Sequence, residues 1–505
     1  MANLLFDTLF NEKPPERTCI ELTDGTRMSY GELDAATARA AAALTALGVE
    51  PGDRVAAQVD KSVAALVLYL ATIRAGAVFL PLNTGYTSAE VEYFVNDASP
   101  ALLVCRPESE SALQPLAQAA GARLRTLDAG GSGGSWPQAV AEAGSGAPEP
   151  APRDADDLAG ILYTSGTTGR AKGAMLTQRN LASNALTLVE CWRFNADDVL
   201  IHALPIFHTH GLFVAVHCVM VAGASMIFLP RFDAAEVLSL MPRATVLMGV
   251  PTFYTRLLAE PGLDAGATAN MRLFISGSAP LLEETHREFQ QRTGHAILER
   301  YGMTETSMNT SNPYDGERRA GTVGPPLPDV EVRVTDPETG KPLPPGEVGQ
   351  LEVRGPNVFK GYWQMPDKTR EEFRDDGFFI TGDMGLIDEQ GYVSIVGRSK
   401  DLIISGGYNV YPKEVENEID ALPGVVESAV IGVPHPDFGE AVVAVVVPEK
   451  GARLDEGSLV APLADRLARY KQPKKVVFVD ALPRNTMGKV QKNLLREQYR
   501  DVAAR

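Results

Sequence analysis

Short apolar runs that alternate with helical patterns dominate the N-terminal part of this chain. The runs RVAAQV, AVFLPL and ALLVC each fit a buried strand, and residues 29–48 form an alanine-rich helical pattern that ends at Gly48. Strands and helices that alternate in this way are typical of a sheet whose strands are mostly parallel. The pattern therefore predicts an α/β fold for the larger part of the chain.

The sequence changes character near residue 400. Strand-like, turn-rich segments such as GQLEVRG and GYVSIVGR give way to mixed helical and strand patterns. From Lys400 onward, 15 basic residues balance 15 acidic ones, so the whole acidic excess of the chain lies before Lys400. The 505 residues are enough for one large and one small domain. We predict a large domain of residues 1–399 and a small domain of residues 400–505.

The net charge of −17, from 47 basic and 64 acidic residues, restricts the classes of partner. Nucleic-acid binding needs a basic surface that neutralises phosphates, so nucleic acid is not expected as a partner. The four cysteines form no CxxC pair or Cys/His cluster and are expected to be reduced thiols. No signal peptide is indicated near the N-terminus, and the apolar run from Val63 to Ala71 is too short to cross a bilayer. These features predict a soluble, cytoplasmic protein with no membrane partner.

A loop rich in glycine, serine and threonine follows the apolar run LAGILY. It has the sequence YTSGTTGRAKG and covers residues 163–173. A strand that leads into such a loop exposes backbone N–H groups and hydroxyls that suit phosphate oxygens, and Lys172 adds a positive charge. The spacing of a Walker A loop is absent. Composition alone leaves a flexible polar surface loop as the alternative.

This loop resembles the phosphate-binding loop of the adenylate-forming superfamily, which contains acyl-CoA synthetases, peptide-synthetase adenylation domains and luciferases. Further motifs follow in the order of that superfamily: GSAPL at 277–281, YGMTET at 301–306, Tyr362, TGD at 381–383, GRSK at 397–400 and NTMGK at 485–489. The resemblance implies a large N-terminal domain of parallel-rich sheets with helices and a small β-barrel-like subdomain, followed by a small, mobile α+β domain. It also implies ATP-dependent formation of an acyl-adenylate and transfer of the acyl group to CoA, with release of AMP and pyrophosphate.

The resemblance assigns roles around the nucleotide. Thr304 and Glu305 match the phosphate-contacting hydroxyl and the Mg²⁺-binding carboxylate, and Lys489 matches the catalytic lysine that bridges the acid and the α-phosphate. Taken alone, YGMTET would be a polar helix start with Thr304 as a cap, and Lys489 would be one more solvated lysine. The residues implied to bind ATP or AMP are Thr164, Ser165, Gly166, Thr167, Thr168, Gly169, Lys172, Gly277, Ser278, Ala279, Pro280, Tyr301, Gly302, Met303, Asp383 and Arg398.

A second group of residues is implied to serve the thiol-transfer step. Lys400 matches the hinge about which the small domain rotates. A narrow channel for the pantetheine arm of CoA is implied beside Gly406, Gly407 and Tyr408. A basic cluster could meet the CoA phosphates, or it could be a solvated helix face; its members are Arg466, Arg469, Lys471, Lys474 and Lys475.

Two residues bear on the identity of the acid. His208 matches a catalytic residue of the superfamily that lines the acyl pocket and controls access to the carboxylate. Arg300 precedes Tyr301, and an arginine that points into that pocket would need an anionic partner. A second carboxylate on the substrate would provide one. The residues implied to contact the acid are Arg300, His208, Thr209, Ser276 and Ser278.

The sequence ERYGMTET resembles malonyl-CoA synthetases, so malonate or methylmalonate is the expected acid. The alternatives are that Arg300 pairs with Glu299, that the enzyme activates another small or aromatic acid, or that the chain is a stand-alone adenylation domain. A non-catalytic regulator would be expected to have lost Lys172, Glu305 or Lys489, and all three are present. We expect free CoA as the acceptor, without a fused carrier domain, and a monomer or a small homo-oligomer.

Overall fold

The computed structural model describes residues 3–144, 146–164, 171–405, 408–436, 438–485 and 488–503. Seven residues with an expected binding role lie outside this described part: Ser165, Gly166, Thr167, Thr168, Gly169, Gly406 and Gly407.

Most strands of the first 330 residues are short and buried. They are β1 (Thr18–Glu21), β2 (Arg27–Ser29), β3 (Arg54–Gln58), β4 (Val78–Pro81), β5 (Leu102–Cys105), β6 (Arg123–Thr126), β7 (Leu158–Thr164), β8 (Lys172–Thr177), β9 (Val199–His202), β10 (Ser225–Phe228), β11 (Val246–Gly249), β12 (Leu273–Ser276), β13 (Leu298–Met303) and β14 (Ser307–Ser311).

The strands of the remaining residues are longer on average. They are β15 (Glu331–Thr335), β16 (Gly349–Arg354), β17 (Phe379–Ile387), β18 (Val393–Arg398), β19 (Ile403–Ser405), β20 (Tyr408–Val410), β21 (Val425–His435), β22 (Gly439–Pro448) and β23 (Lys475–Phe478).

The α-helices lie between these strands. They are α1 (Leu4–Phe10), α2 (Tyr30–Ala46), α3 (Val63–Arg74), α4 (Ser88–Ala98), α5 (Glu110–Ala119), α6 (Ser135–Glu142), α7 (Gln178–Cys191), α8 (His217–Ala222), α9 (Ala234–Leu240), α10 (Pro251–Leu258), α11 (Glu283–Thr293), α12 (Pro366–Glu371), α13 (Pro412–Asp420), α14 (Glu456–Val460) and α15 (Lys492–Gln498).

Two largely parallel sheets form the centre of the large unit. One has six strands in the order β6-β5-β3-β4-β7-β8, and the other has eight in the order β14-β13-β12-β11-β9-β10-β1-β2. Within the described strands of these two sheets, antiparallel pairs occur only at the edges. They are β7 with β8 at one edge of the first sheet, and β13 with β14 and β1 with β2 at the two edges of the second. The strands predicted from RVAAQV, AVFLPL and ALLVC are β3, β4 and β5, so the predicted α/β fold is confirmed.

The predicted helix at residues 29–48 is α2. Ser29 caps it: its hydroxyl accepts the N–H of Glu32, while the Glu32 carboxylate accepts the N–H of Ser29. The next helix, α3, has no polar face to give to solvent, and most of its side chains are fully buried. Each large apolar side chain buried in this way contributes about 1.5–3 kcal/mol to stability. The two helices pack on one another and thereby cover one face of the sheets.

An antiparallel sheet of four strands, β15 to β18, follows the two parallel sheets and corresponds to the expected small subdomain. A further sheet of five strands, β19 to β23, occupies the C-terminal region and carries α13 on one of its faces. Its long hairpin of β21 and β22 buries apolar side chains on both faces, because separate clusters of core residues cover each side.

Two further findings concern the chain as a whole. Each of the four cysteines lies in the described part and is an unpaired thiol. None of the helices that the structure describes combines the length and the apolar character needed to cross a membrane.

Candidate active site

The candidate site lies where the eight-stranded sheet presents the carboxyl ends of its parallel strands. Ser276 is the last residue of β12, Arg300 lies in the adjacent β13, and the segment from His208 to His210 follows β9. Ligands of open α/β sheets bind at this edge, because loops from several strands converge there. The topology therefore brings together residues that are almost 100 positions apart in the sequence.

Arg300 is the most unusual residue of this edge. Its side chain is buried, with 4% of the residue exposed, and the guanidinium Nε and Nη2 have no hydrogen-bond partner among the described residues. Burial lowers the pKa of Arg300 to about 9, although the nearby Tyr254 and Cys218 oppose the shift. A buried guanidinium without an anion is costly, so this geometry favours an anionic ligand. The alternative partner, Glu299, instead lies near His286, with 3.6 Å between Oε1 and Nδ1.

Gly277 makes room for the guanidinium. A Cβ at this position would lie 2.3 Å from Cζ of Arg300, so a side chain here would force the guanidinium to move. The next residue, Ser278, has a positive φ of 71°, an uncommon conformation for a residue with a side chain. Backbone of this kind is often held at ligand sites. The segment after β12 is therefore shaped around Arg300.

Further unpaired polar atoms surround Arg300. The hydroxyl oxygens of Thr209 and Ser276 and the Nε2 of His210 are buried and have no hydrogen-bond partner within the described part of the chain. Ser278 Oγ lies 3.3 Å from the other ring nitrogen of His210. Thr209 and Ser276 were expected to contact the acid, whereas His210 was not, although its place two residues after His208 could have indicated it.

His208 is neutral at physiological pH. Burial lowers the pKa of its imidazole to about 3, and the positive charges of Lys489 and Arg300 act in the same direction. Its Nδ1 accepts the backbone N–H of His210 at 3.3 Å, so the ring proton lies on Nε2. His208 can therefore donate a hydrogen bond to a carboxylate but carries no charge of its own.

The expected ribose ligand, Asp383, is held from two sides. Its Oδ1 pairs with Nε of Arg398 at 2.7 Å, and its Oδ2 accepts the hydroxyl of Tyr301 at 2.5 Å. Asp383 and Arg398 are direct partners on β17 and β18, so the antiparallel register creates the pair. The Asp383 charge also raises the pKa of Arg398. This arrangement fixes a carboxylate that can accept hydrogen bonds from two vicinal hydroxyls.

Glu305 lies in the turn between β13 and β14. It is 5% exposed, and its Oε1 lies 3.4 Å from the Thr164 hydroxyl and 3.2 Å from the Tyr362 hydroxyl. Burial raises the pKa of this carboxyl, while the positive charges of Lys172 and Arg398 oppose the shift. Mg²⁺ in nucleotide sites is held by one or two carboxylates together with phosphates. A single buried carboxylate with hydroxyl neighbours fits that mode of binding.

Lys172 makes a buried ion pair that the sequence did not indicate. Its Nζ lies 2.8 Å from Oε1 of Glu372 and 4.1 Å from the ring centroid of Tyr362. The Tyr362 hydroxyl donates to the other oxygen of Glu372 at 2.6 Å. Although burial acts in the opposite direction, these hydrogen bonds hold the pKa of Glu372 below its ordinary value. Glu372 was missed because REEFRDD offers several acidic residues and no motif that distinguishes them.

The other described residues with an expected nucleotide role lie at or just after the ends of β12 and β13. Gly302 and Met303 end β13, where the register with β14 shifts at Gly302. The residue next to them, Thr304, is half-buried in the following turn, while Ala279 is half-buried and Pro280 is exposed after β12.

Lys489 faces these residues from the C-terminal region. It lies close enough to Asp383, Glu305, Arg398 and Arg300 for their charges to affect its pKa. Reduced contact with bulk water lowers that pKa, and the positive charge of Arg398 acts in the same direction. The side chain nevertheless remains exposed to the cleft. The structure therefore brings Lys489 and Arg300 to the same site.

Four of the residues expected to bind CoA lie in the described part of the C-terminal region: Tyr408, Arg466, Arg469 and Lys471. Tyr408 is 60% exposed and stacks on Tyr470, with 4.8 Å between the ring centroids. Lys471 pairs with Glu414 at 2.6 Å, and Arg466 lies 3.4 Å from Glu418, so both cations already have acidic neighbours on α13. Arg469 is exposed, and its carbonyl oxygen accepts the side chain of Lys474 at 3.3 Å. The expected hinge, Lys400, lies in a 3₁₀ turn, Ser399–Asp401.

Comparison with known proteins shows the family of this chain. The sequence matches the family described as AMP-binding enzyme over residues 8–363, and the AMP-binding enzyme C-terminal domain over residues 414–489. Feruloyl-CoA synthase of Amycolatopsis sp is 39% identical over 94% of each chain. The mitochondrial malonate–CoA ligase ACSF3 of Mus musculus is 37% identical over 88% of this chain and 82% of its own.

A solved structure is more similar still. ATP-bound MatB from Rhodopseudomonas palustris is 63% identical over 100% of both chains and superposes with a TM-score of 0.97. The apo form of MatB has a TM-score of 0.87. The chain therefore belongs to the AMP-binding enzymes and is an AMP-forming acid–CoA ligase.

Proposed function

We propose that this ligase forms malonyl-CoA, and also methylmalonyl-CoA, from the free dicarboxylic acid, ATP and CoA. The observation that carries the proposal is the buried guanidinium of Arg300, two of whose nitrogens have no partner among the described residues. A substrate with one carboxylate at the reaction centre and a second one carbon away would pair with that guanidinium. The relatives named as malonate–CoA ligases support this choice of acid.

Arg300 and its neighbours would bind the distal carboxylate. The guanidinium offers two N–H donors in a planar fork, which matches the two oxygens of a carboxylate. The hydroxyls of Thr209 and Ser276, also without partners in the described part, can donate further hydrogen bonds. A monocarboxylic acid would leave all of these groups buried and unpaired, and sites of this kind discriminate strongly against such analogues.

The proximal carboxylate would react with ATP. One of its oxygens attacks the α-phosphorus. The bond between the α-phosphorus and the oxygen that bridges to the β-phosphate breaks, and pyrophosphate leaves. We propose that Lys489 stabilises the negative charge that develops between the carboxylate and the α-phosphate. The neutral His208 would donate a hydrogen bond to the carboxylate. Lys172 would contact the outer phosphates, Thr304 would donate to them, and Asp383 would hold the ribose hydroxyls.

Glu305 and the phosphates of ATP would together hold Mg²⁺. The ion, when bound, reduces the repulsion between the incoming carboxylate and the triphosphate. Because the Glu305 carboxyl has a raised pKa, a nearby cation also favours its ionised form.

In the second step the thiol of CoA attacks the carbonyl carbon of the acyl-adenylate. The sulfur–carbon bond forms, the thiol proton is lost and AMP leaves. We propose that residues 400–505 form a small domain that rotates about Lys400 between the steps, so that Lys489 withdraws and the segment with Gly406, Gly407 and Tyr408 takes its place. In that arrangement Arg466, Arg469 and Lys471 would meet the CoA phosphates. We assign the reaction to the cytoplasm, because all four cysteines are unpaired thiols.

An aromatic acid is the second candidate, because one relative is named feruloyl-CoA synthase. An aryl group would have to lie against the guanidinium of Arg300 and the unpaired hydroxyls, which an aromatic ring cannot satisfy. The geometry therefore favours the dicarboxylate.

Pyrophosphate release with a panel of acids tests the proposal. The panel contains malonate, methylmalonate, succinate, sulfoacetate, acetate, benzoate and ferulate, each with ATP, Mg²⁺ and CoA. We expect the highest kcat/KM with malonate, followed by methylmalonate, and a value at least about 100-fold lower with acetate. A higher kcat/KM with acetate, benzoate or ferulate than with malonate would contradict the proposal, and a higher value with sulfoacetate would change the distal group from carboxylate to sulfonate.

A further inference from the structure

Hydrogen bonds to Arg484 and Asn485, at the start of the turn, fix the turn that carries Lys489. The Asn485 N–H donates to the carbonyl oxygen of Lys489 at 2.9 Å, and the Lys489 N–H donates to the Asn485 side-chain oxygen at 3.0 Å. The Gly488 N–H donates to the Asn485 carbonyl at 2.9 Å. Arg484 also pairs with Val490 in an antiparallel bridge. The backbone of Lys489 is therefore held on both sides.

Arg484 connects this turn to the sheet of the C-terminal region. Its Nη1 donates to the carbonyl oxygen of Gly488 at 2.5 Å, and its Nη2 pairs with the carboxylate of Glu427 on β21. Gly488 has a positive φ of 75°, and a Cβ there would lie 3.4 Å from the side chain of Thr252 on α10. One guanidinium thus joins a rigid strand to the residue immediately before the catalytic lysine.

We infer that Arg484 and Glu427 are positioning residues for Lys489 in the adenylation step. The inference rests on the proposed role of Lys489. Rate enhancement by a positioned charge depends steeply on geometry, and a displacement of about 1 Å can reduce the rate by about 100-fold. The ion pair fixes the distance between the turn and β21. It thereby fixes how far the Lys489 side chain extends into the cleft.

The exposure of the Arg484–Glu427 pair distinguishes a role in positioning Lys489 from a general contribution to stability. The side chains of Arg484 and Glu427 are 31% and 22% exposed, and ion pairs of this exposure contribute little to stability. A pair elsewhere in the same region provides a matched control. Lys475 and Glu456 lie 3.0 Å apart and are 45% and 43% exposed, and among the described residues no hydrogen bond or ion pair joins them to the turn.

Two half-reactions measured separately test the inference. The first is malonate-dependent exchange of pyrophosphate into ATP, and the second is thioester formation from synthetic malonyl-adenylate and CoA. We expect Glu427→Gln to lower kcat of the exchange by about tenfold or more without a matching change in KM for ATP, and to leave thioester formation within about twofold of wild type. Arg484→Lys should retain part of the exchange activity that Arg484→Gln loses. Glu456→Gln should match wild type in both reactions.

Exchange within about twofold of wild type in both Glu427→Gln and Arg484→Gln would overturn the inference. Equal losses in the two half-reactions, together with a lower Tm, would also overturn it, because the pair would then be structural. Lys489→Ala distinguishes these failures from a failure of the proposed function. If Lys489→Ala retains exchange, the role of Lys489 itself is wrong; if it abolishes exchange while Glu427→Gln does not, only the positioning role is wrong.

Discussion

Lys172 and Glu372 form a buried ion pair beside the candidate site, and it is made by residues 200 positions apart. Their side chains are 9% and 19% exposed, and Glu372 has a second cation, Lys368, at 3.2 Å. Removal of Glu372 therefore leaves the buried Lys172 ammonium without its carboxylate, which costs about 3–5 kcal/mol, whereas removal of both partners costs much less.

A double-mutant cycle should detect this pair. We expect Glu372→Gln to lower the free energy of unfolding by about 3 kcal/mol, and the double variant Lys172→Met, Glu372→Gln to recover most of that loss. Urea denaturation of the protein without ligands measures both. If the double variant is as unstable as the sum of the single variants, the two side chains are not coupled.

The residues that the sequence could indicate are those in motifs with a chemical reason for their spacing. The sequence indicated Arg300, Thr209 and Ser276 because each lies beside a motif of the superfamily. Their side-chain atoms without partners agree with the expected contact with an anion. Glu372 could not be named, since its importance comes only from a partner brought close by the fold.

At the level of elements, the helix α13 and the strand β21 enclose Asp420. Its carboxylate accepts the Ser428 hydroxyl at 2.7 Å, and Glu416, Glu427 and Lys413 lie nearby. Burial raises the pKa of Asp420 to about 7, with the two glutamates acting in the same direction and Lys413 and the hydrogen bond opposing.

This pKa predicts a pH dependence of stability. A carboxyl that binds its proton more tightly in the folded state than in the unfolded state, where its pKa is about 3.9, makes the free energy of unfolding fall as pH rises from about 4 to about 7. We expect Asp420→Asn to remove that fall, and the exposed Glu449→Gln to keep it. Urea denaturation at pH 5, 6, 7 and 8 measures the slope, and an identical slope in Asp420→Asn and wild type would contradict the assignment.

The sequence predicted the parallel strands better than the turns around the site. The strands β3, β4 and β5 are short apolar runs that remain buried in any α/β arrangement, so composition and spacing suffice. The motif YGMTET, which alone suits a helix start, instead ends β13 and turns into β14. Pairing of Tyr301–Met303 with β14 overrides that local preference, and such pairing is not visible in a local pattern.

At the level of the whole molecule, the conformation matches the ATP-bound form of MatB more closely than the apo form. Lys489 correspondingly lies near Asp383, Glu305 and Arg300, as its proposed role in the first half-reaction requires. The second half-reaction needs a different arrangement, for which Lys400 is the proposed hinge.

Lys400→Pro tests the hinge. Proline fixes φ near −65°, which suits the 3₁₀ turn Ser399–Asp401 but prevents rotation about that bond. We expect pyrophosphate exchange within about threefold of wild type and CoA-dependent thioester formation at least about 100-fold lower. Lys400→Ala, which leaves the torsion free, serves as the control. Normal thioester formation by Lys400→Pro would exclude Lys400 as the hinge.

The central claim is that Arg300 recognises a second carboxylate on the acid, and a cycle in which both charges are varied tests it most directly. Adenylation is measured as pyrophosphate release, with malonate and with its monomethyl ester, for wild type and for Arg300→Gln. We predict that wild type prefers malonate by about 100-fold or more in kcat/KM, and that Arg300→Gln loses most of this preference because its activity on malonate falls and its activity on the ester does not. An equal preference for malonate in wild type and Arg300→Gln would contradict the account.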